Sequence, residues 1–194
     1  MPTFAPRVVT VLALVAGLVA PAAAEPLPAS NASAATPVDR ARAVLGPFKA
    51  SLKATLTSAL AEGPVAAIEA CAVSAPGLAA AAAHDGVKVG RSAVKLRNPV
   101  NAPPAWVVGP MTELAAAPPK EGDHRVVDLP GGGTGYVETI LVGEPCVKCH
   151  GAEAGVSPEV RALLKQKYPA DQATGFAQGQ FRGVFWAEVA PAAR

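Results

Sequence analysis

Aromatic side chains are scarce in this chain, at 5% of residues, and charged ones reach only 16%. The charges nearly cancel, leaving a formal net charge of +2. A basic stripe of the kind that nucleic acid or an anionic membrane demands is therefore missing. Three cysteines are too few for the disulfide framework of a small secreted domain. No internal repeat is present, which excludes a solenoid or propeller. The apolar share of 51% overstates the core, because alanine supplies so much of it. With so few aromatics, any large apolar cofactor would make up a sizeable part of the buried surface, and the protein without it should be markedly less stable.

A long hydrophobic run is missing as well. Val8 to Ala20 is uncharged and apolar but shorter than the roughly 20 residues a transmembrane helix needs. It follows a short basic stretch ending at Arg7, is broken by Pro21, and precedes Ala22-Ala23-Ala24 before Glu25. That pattern is a secretory signal with an A-x-A cleavage site, so residues 1–24 are expected to be removed. An uncleaved anchor is the minor alternative. Removal leaves 170 residues with 16 basic and 15 acidic side chains, enough for one domain with a core of its own. A periplasmic protein with no further membrane span is expected.

What is there instead is Cys146-Val147-Lys148-Cys149-His150. Two thiols two spacers apart with an adjacent histidine meet the needs of a c-type haem. Each thiol adds to one vinyl group of the porphyrin, and the imidazole ligates the iron from below. A redox Cys-x-x-Cys or a structural zinc site are the rival readings, and the second would need further ligands at metal-binding spacing. Haem c is attached outside the inner membrane in bacteria, so motif and signal support each other.

Residues 25–36, rich in Ala, Pro and Ser, form a flexible lead-in to a single domain over 37–194. Thr36-Pro37-Val38-Asp39 starts a helix, with a threonine cap, a proline at the first position and an acidic first turn. Val44, Phe48, Leu52, Leu56 and Leu60 recur every four residues, so one face of that helix is buried as far as Ala61. Pro47 should kink it. Gly63-Pro64 ends it, and a second helix runs from Pro64 to about Ser74, before Pro76. Val87 to Leu96 alternates as a strand, and Ala105 to Ala117 forms a short helix. His124 to Leu129 and Gly135 to Val142 form a hairpin about a glycine-rich tip. Ser157-Pro158-Glu159 caps a helix to about Lys167, and Gln180 to Val189 closes as a strand. Helices first, then antiparallel strands with helical insertions, make an α+β domain.

The sixth iron ligand has several candidates. Cys71 has no cysteine left to pair with, and it is either a small buried core residue or the ligand opposite His150. Met111 would give a His/Met pair, or it is ordinary core packing. His84 and His124 would give a bis-histidine haem, but both adjoin aspartate in polar surroundings. Arg91, Lys95 and Arg97, with Asn98 and Asn101, form a basic segment that is either a solvated strand face or a set of donors for haem propionates. Trp106, Phe176 and Phe181 either line the ring or belong to the core.

Four stretches carry a family resemblance. They are Ala66-Ala67-Ile68-Glu69-Ala70-Cys71 and Val89-Gly90-Arg91-Ser92-Ala93-Val94-Lys95-Leu96-Arg97-Asn98-Pro99-Val100-Asn101-Ala102-Pro103. The haem motif continued by Gly151 is the third. The fourth is Tyr168-Pro169-Ala170-Asp171 with Ala173-Thr174-Gly175-Phe176 and Gly179-Gln180-Phe181-Arg182-Gly183. Together they resemble the single-haem c-type domain known as domain of unknown function number 3365, over essentially the whole chain after residue 24. The resemblance implies a PAS-like antiparallel sheet flanked by helices, with one covalent haem c. It favours Cys71 as a distal thiolate, and Arg91 and Arg97 as servants of the propionates or of the framework around them. One departure is Val107 after Trp106, where an acidic residue is expected. The functions implied are redox or ligand sensing, with a small gas as one ligand, or one-electron transfer to a redox or signalling partner. The sequence holds no kinase or methyl-accepting segment, so a signal would pass to a separate protein. A small peroxidase-like or gas-converting haem enzyme is the alternative, and it would need an acid/base group beside an open iron position.

Overall fold

The computed structural model describes residues 35–192 and, apart from them, Met1. The expected signal and most of the lead-in lie outside the described residues. Helix α1 (Pro37–Glu62) begins as its sequence dictates. Thr36 Oγ1 accepts from the Asp39 N–H at 3.2 Å, and Asp39 Oδ2 accepts from the Thr36 N–H at 3.1 Å. That reciprocal box satisfies amides that the first turn would otherwise leave bare. Pro47 is accommodated within the helix.

Helix α2 (Pro64–Ala82) runs about two turns further than expected, through Pro76. A proline inside a helix loses one backbone bond. Here the residues past it hold the helix on, since Ala75 is buried and Leu78, Ala79 and Ala82 pack against the main core. By length and composition alone α2 could cross a membrane. In the fold it lies along α1 instead.

The remaining elements are β1 (Val87–Ser92), α3 (Ala105–Ala116), β2 (His124–Leu129), β3 (Gly133–Leu141), α4 (Val147–His150), α5 (Pro158–Lys167) and β4 (Phe181–Val189). The expected first strand is shorter than predicted, ending at Ser92 instead of Leu96. The four strands form one antiparallel sheet in the order β1-β4-β3-β2. The domain is α+β, as the element order predicts.

Strand alternation divides the core in two. Val87, Val89, Tyr136, Ala187 and Val189 face Ala41, Val44, Leu45 and Phe48 of α1. Their neighbours Val137 and Val184 point the other way, onto Val107, Met111 and Leu114 of α3. A smaller cluster joins Ile68 of α2 to Val156, Val160 and Leu164 of α5 and to Tyr168.

Strands β3 and β4 pair directly, yet residues 142–180 separate them. The segment leaves and returns at one point, where the Val142 N–H donates to Gln180 O at 2.9 Å and the Gly179 N–H to Val142 O at 2.8 Å. Beside it the register slips. Ile140 faces Gly183 but Leu141 faces Phe181, so Arg182 is an extra, bulged residue. Gly183 makes the bulge feasible, because a Cβ there would lie 2.2 Å from Ser92 O.

Candidate functional site

The buried stripe of α1 outlasts the core it packs on. Phe48 is covered by the sheet, but Leu56 and Leu60, further along the same face, are only half-buried. They form one wall of a cleft that continues the α1 face of the sheet past its packed end. Ala67, Ile68 and Cys71 of α2, Arg91 of β1, Ile140 and Leu141 of β3, Phe185 of β4, and Leu164 and Tyr168 beyond complete the wall. Cys146, Cys149 and His150 stand in the same lining. The space free of protein atoms amounts to about 1170 Å³, part of it continuous with solvent.

The motif is held from behind. Gly151 follows the histidine because the chain passes close to itself there, and a Cβ would sit 2.5 Å from Val147 O. The strip from 171 to 176 then pins the turn. The Phe176 N–H donates to His150 O and the Gly175 N–H to Gly151 O, each at 2.9 Å. The Phe176 ring meets the His150 ring edge-on, with centroids 6.5 Å apart.

His150 Nδ1 lies 2.7 Å from Ala173 O. A carbonyl only accepts, so Nδ1 carries the proton and Nε2 is left with a free lone pair. Burial, reinforced by the charges of Arg97 and Arg182, lowers the His150 pKa to about 3. The imidazole is therefore neutral, which is the state a metal ligand requires. Burial also pushes the Cys149 thiol up, against the opposing charge of Arg97.

A pH dependence follows. Unfolded, His150 takes a proton near pH 6.5; folded, only near pH 3. Between these values the unfolded chain binds the extra proton, so this group's contribution to stability is fully present above about pH 6.5. It declines by about 1.4 kcal/mol per pH unit as pH falls toward 3. Urea midpoints of the haem-free chain at about pH 7.5 and about pH 5 measure this, with His150→Gln as the reference. The wild type should lose more stability on acidification than the variant, and equal losses would refute it.

Three arginines converge on the cleft. Arg97 is held through two of its nitrogens: Nε donates to Asp171 Oδ2 at 2.9 Å, and Nη2 to Cys149 O at 2.5 Å and Ala173 O at 3.2 Å. Its side chain is 12% exposed and that of Asp171 10%. Arg91 has no carboxylate partner among the described residues, and Arg182 has only Lys95 O, at 3.1 Å. Burial and the neighbouring Arg97 and Arg91 lower the Arg182 pKa to about 10. Arg91 and Arg182 are both partly buried, and without a carboxylate partner among the described residues they leave positive charge in the cleft that an anion would offset.

The expected site residues separate accordingly. Cys71, Cys146, Cys149, His150, Arg91 and Arg97 all line the cleft. Met111 does not; it is 3% exposed under the opposite face of the sheet, among Val107, Val137 and Val184. Trp106 and Phe181 pack with that same cluster, and of the three aromatics only Phe176 stands by His150. His84 is an exposed turn residue, and His124 stacks on Tyr136. Val107 is wholly buried where an acidic side chain was expected. Among the described residues no cluster of three or more His, Cys, Asp or Glu side chains is arranged to hold a metal ion, so the zinc reading finds no ligand set. Sequence reasoning missed Arg182, Asp171 and Ala173. Strand alternation assigns Arg182 to the α3 face, and only the bulge turns it into the cleft.

The chain matches the family Tll0287-like over residues 26–190. No curated protein matches it. Among solved structures, one described as the cyanobacterial heme-protein Tll0287 is 28% identical, over 62% of this chain and 70% of that one, with a TM-score of 0.47.

Proposed function

This chain belongs to the Tll0287-like family, and from that premise we propose that it is an exported monohaem protein of the c type. Cys146 and Cys149 hold the haem, and His150 Nε2 and the Cys71 thiolate ligate its iron. Its work is redox or ligand sensing, or one-electron transfer, on a sheet of PAS-like kind. The observation that carries the reading is the convergence of two thiols and a neutral imidazole with a free Nε2 on one apolar cleft. Haem is also what the protein that gives the family its name is described as containing.

The lining suits each part of the group. Leu56, Leu60, Ile68, Ile140 and Phe185 suit a porphyrin face, and Arg91 and Arg182 suit two carboxylates. Arg97, expected to serve the propionates or the framework, is taken up by the framework. Each thiol would add across one vinyl double bond, its hydrogen passing to the neighbouring carbon, so attachment would consume no oxidant. Bound there, the haem supplies a ferric/ferrous couple. Cys71 is the thiol that α2 brings to the cleft apart from the motif, and a thiolate favours the ferric state. Its departure on reduction would open a position for a small gas. The cleft lining holds no second histidine among the described residues, which weighs against a peroxidase-like enzyme.

The test is production with its signal in a host that matures c-type cytochromes. Intact mass should show the chain without residues 1–24 plus one haem, and acid–acetone should extract none of it. Cys146→Ala/Cys149→Ala should lose the added mass. Extractable haem, or none, from the wild type would overturn covalent attachment.

A further inference from the structure

Ala173 O accepts two hydrogen bonds, from His150 Nδ1 at 2.7 Å and from Arg97 Nη2 at 3.2 Å. The sharing is built in. Asp171 Oδ2 fixes the guanidinium through Nε at 2.9 Å, while Asp171 Oδ1 accepts from the Ala173 N–H at 2.8 Å. One carboxylate thus sets both the donor and the residue whose carbonyl is shared. The same Arg97 nitrogen reaches Cys149 O, the carbonyl just ahead of the histidine.

A hydrogen bond from a ligating imidazole to a carbonyl raises the basicity of the ligand, because the ring gains imidazolate character as Nδ1–H is drawn away. A carbonyl already bonded to a guanidinium has less electron density to offer. We propose that Arg97 is a positioning residue for His150, sharing Ala173 O so as to limit the electron density that the imidazole passes through Nε2. The inference rests on the haem reading above. Its consequence is a reduction potential held higher than His150, with an undivided carbonyl, would set.

The informative variant is Arg97→Gln/Asp171→Asn, which removes the guanidinium without stranding a buried carboxylate or changing net charge. Midpoint potentials by spectroelectrochemistry and ferric EPR spectra are compared with the wild type, at equal haem content. The variant should keep its haem, shift its EPR g values, and show roughly a tenfold lower ferrous-to-ferric ratio at fixed ambient potential, ~59 mV for one electron. Should it fail to mature, Arg97→Lys replaces it; that variant keeps the charge but loses the planar fork, and a smaller fall is expected. An unchanged midpoint and EPR spectrum in whichever variant holds haem would overturn the role of Arg97. Absence of covalent haem from the wild type would overturn the reading beneath it as well.

Discussion

Replacing Cys71 with serine is expected to abolish the low-spin thiolate signature of the ferric protein and to raise its midpoint potential by tenths of a volt. The sign follows from charge. A thiolate donates a full negative charge to the iron and stabilises the ferric state, and a neutral hydroxyl does not. The size is an order of magnitude, set by the span of about 0.8 V that axial ligation covers across haem proteins. Serine is close to cysteine in volume, and Cys71 is only partly buried beside Ala67 and Ile68, so the fold should be little disturbed. Optical and EPR spectra of the two ferric proteins, then their redox titrations, measure the effect. Identical spectra would make Cys71 a wall residue. Met111, sealed between α3 and the sheet, His84, in an exposed turn, and His124, stacked on Tyr136, would still not take its place.

The second large effect concerns stability. Without haem, Leu56, Leu60, Leu96, Ile140, Leu141 and Phe185 border the cleft half-buried. Full burial of a large apolar side chain contributes about 1.5–3 kcal/mol, so completing the burial of these six contributes on the order of 5 kcal/mol. That is comparable with the whole stability of many domains, about 5–15 kcal/mol. At about 2–4 °C per kcal/mol for a chain of this size, Cys146→Ala/Cys149→Ala should melt roughly 10–20 °C below the holo-protein. Differential scanning calorimetry of the two gives the number. A variant melting within about 3 °C of the holo-protein would mean that haem leaves this apolar lining uncovered.

Much of this was legible in the sequence, for physical reasons that can be named. The start of α1 was readable because a threonine, a proline and an aspartate each satisfy a different demand of a helix N-terminus. The proposed haem motif was readable because the covalent attachment it would serve ties five residues together locally. What escaped depends on contacts distant in sequence. The length of α2 is set by Leu78, Ala79 and Ala82 reaching the core, which overrides the local veto of Pro76. The place of Arg182 is set by a register slip against β3, and alternation alone puts it on the wrong face. Arg97 looked like a free donor because its partners, Asp171 and the carbonyls of Cys149 and Ala173, lie some 50 to 80 positions away. The stripe of α1 was read correctly as apolar, but its outer half faces the cleft and not the packed core.

The excursion between β3 and β4 has a consequence for how such proteins diversify. Its ends are hydrogen-bonded neighbours, so the sheet closes whatever runs between them. Loop-closure entropy grows only with the logarithm of length, and doubling the segment costs about 0.6 kcal/mol. The motif thiols, the imidazole and the strip that braces them all ride on this one segment, whereas Cys71 comes from α2. Insertions and exchanges can accumulate on the proximal side while the chassis of strands stays as it is. Variation in length among relatives should concentrate between residues 142 and 180, and a transplanted excursion should bring its own thiols and imidazole with it.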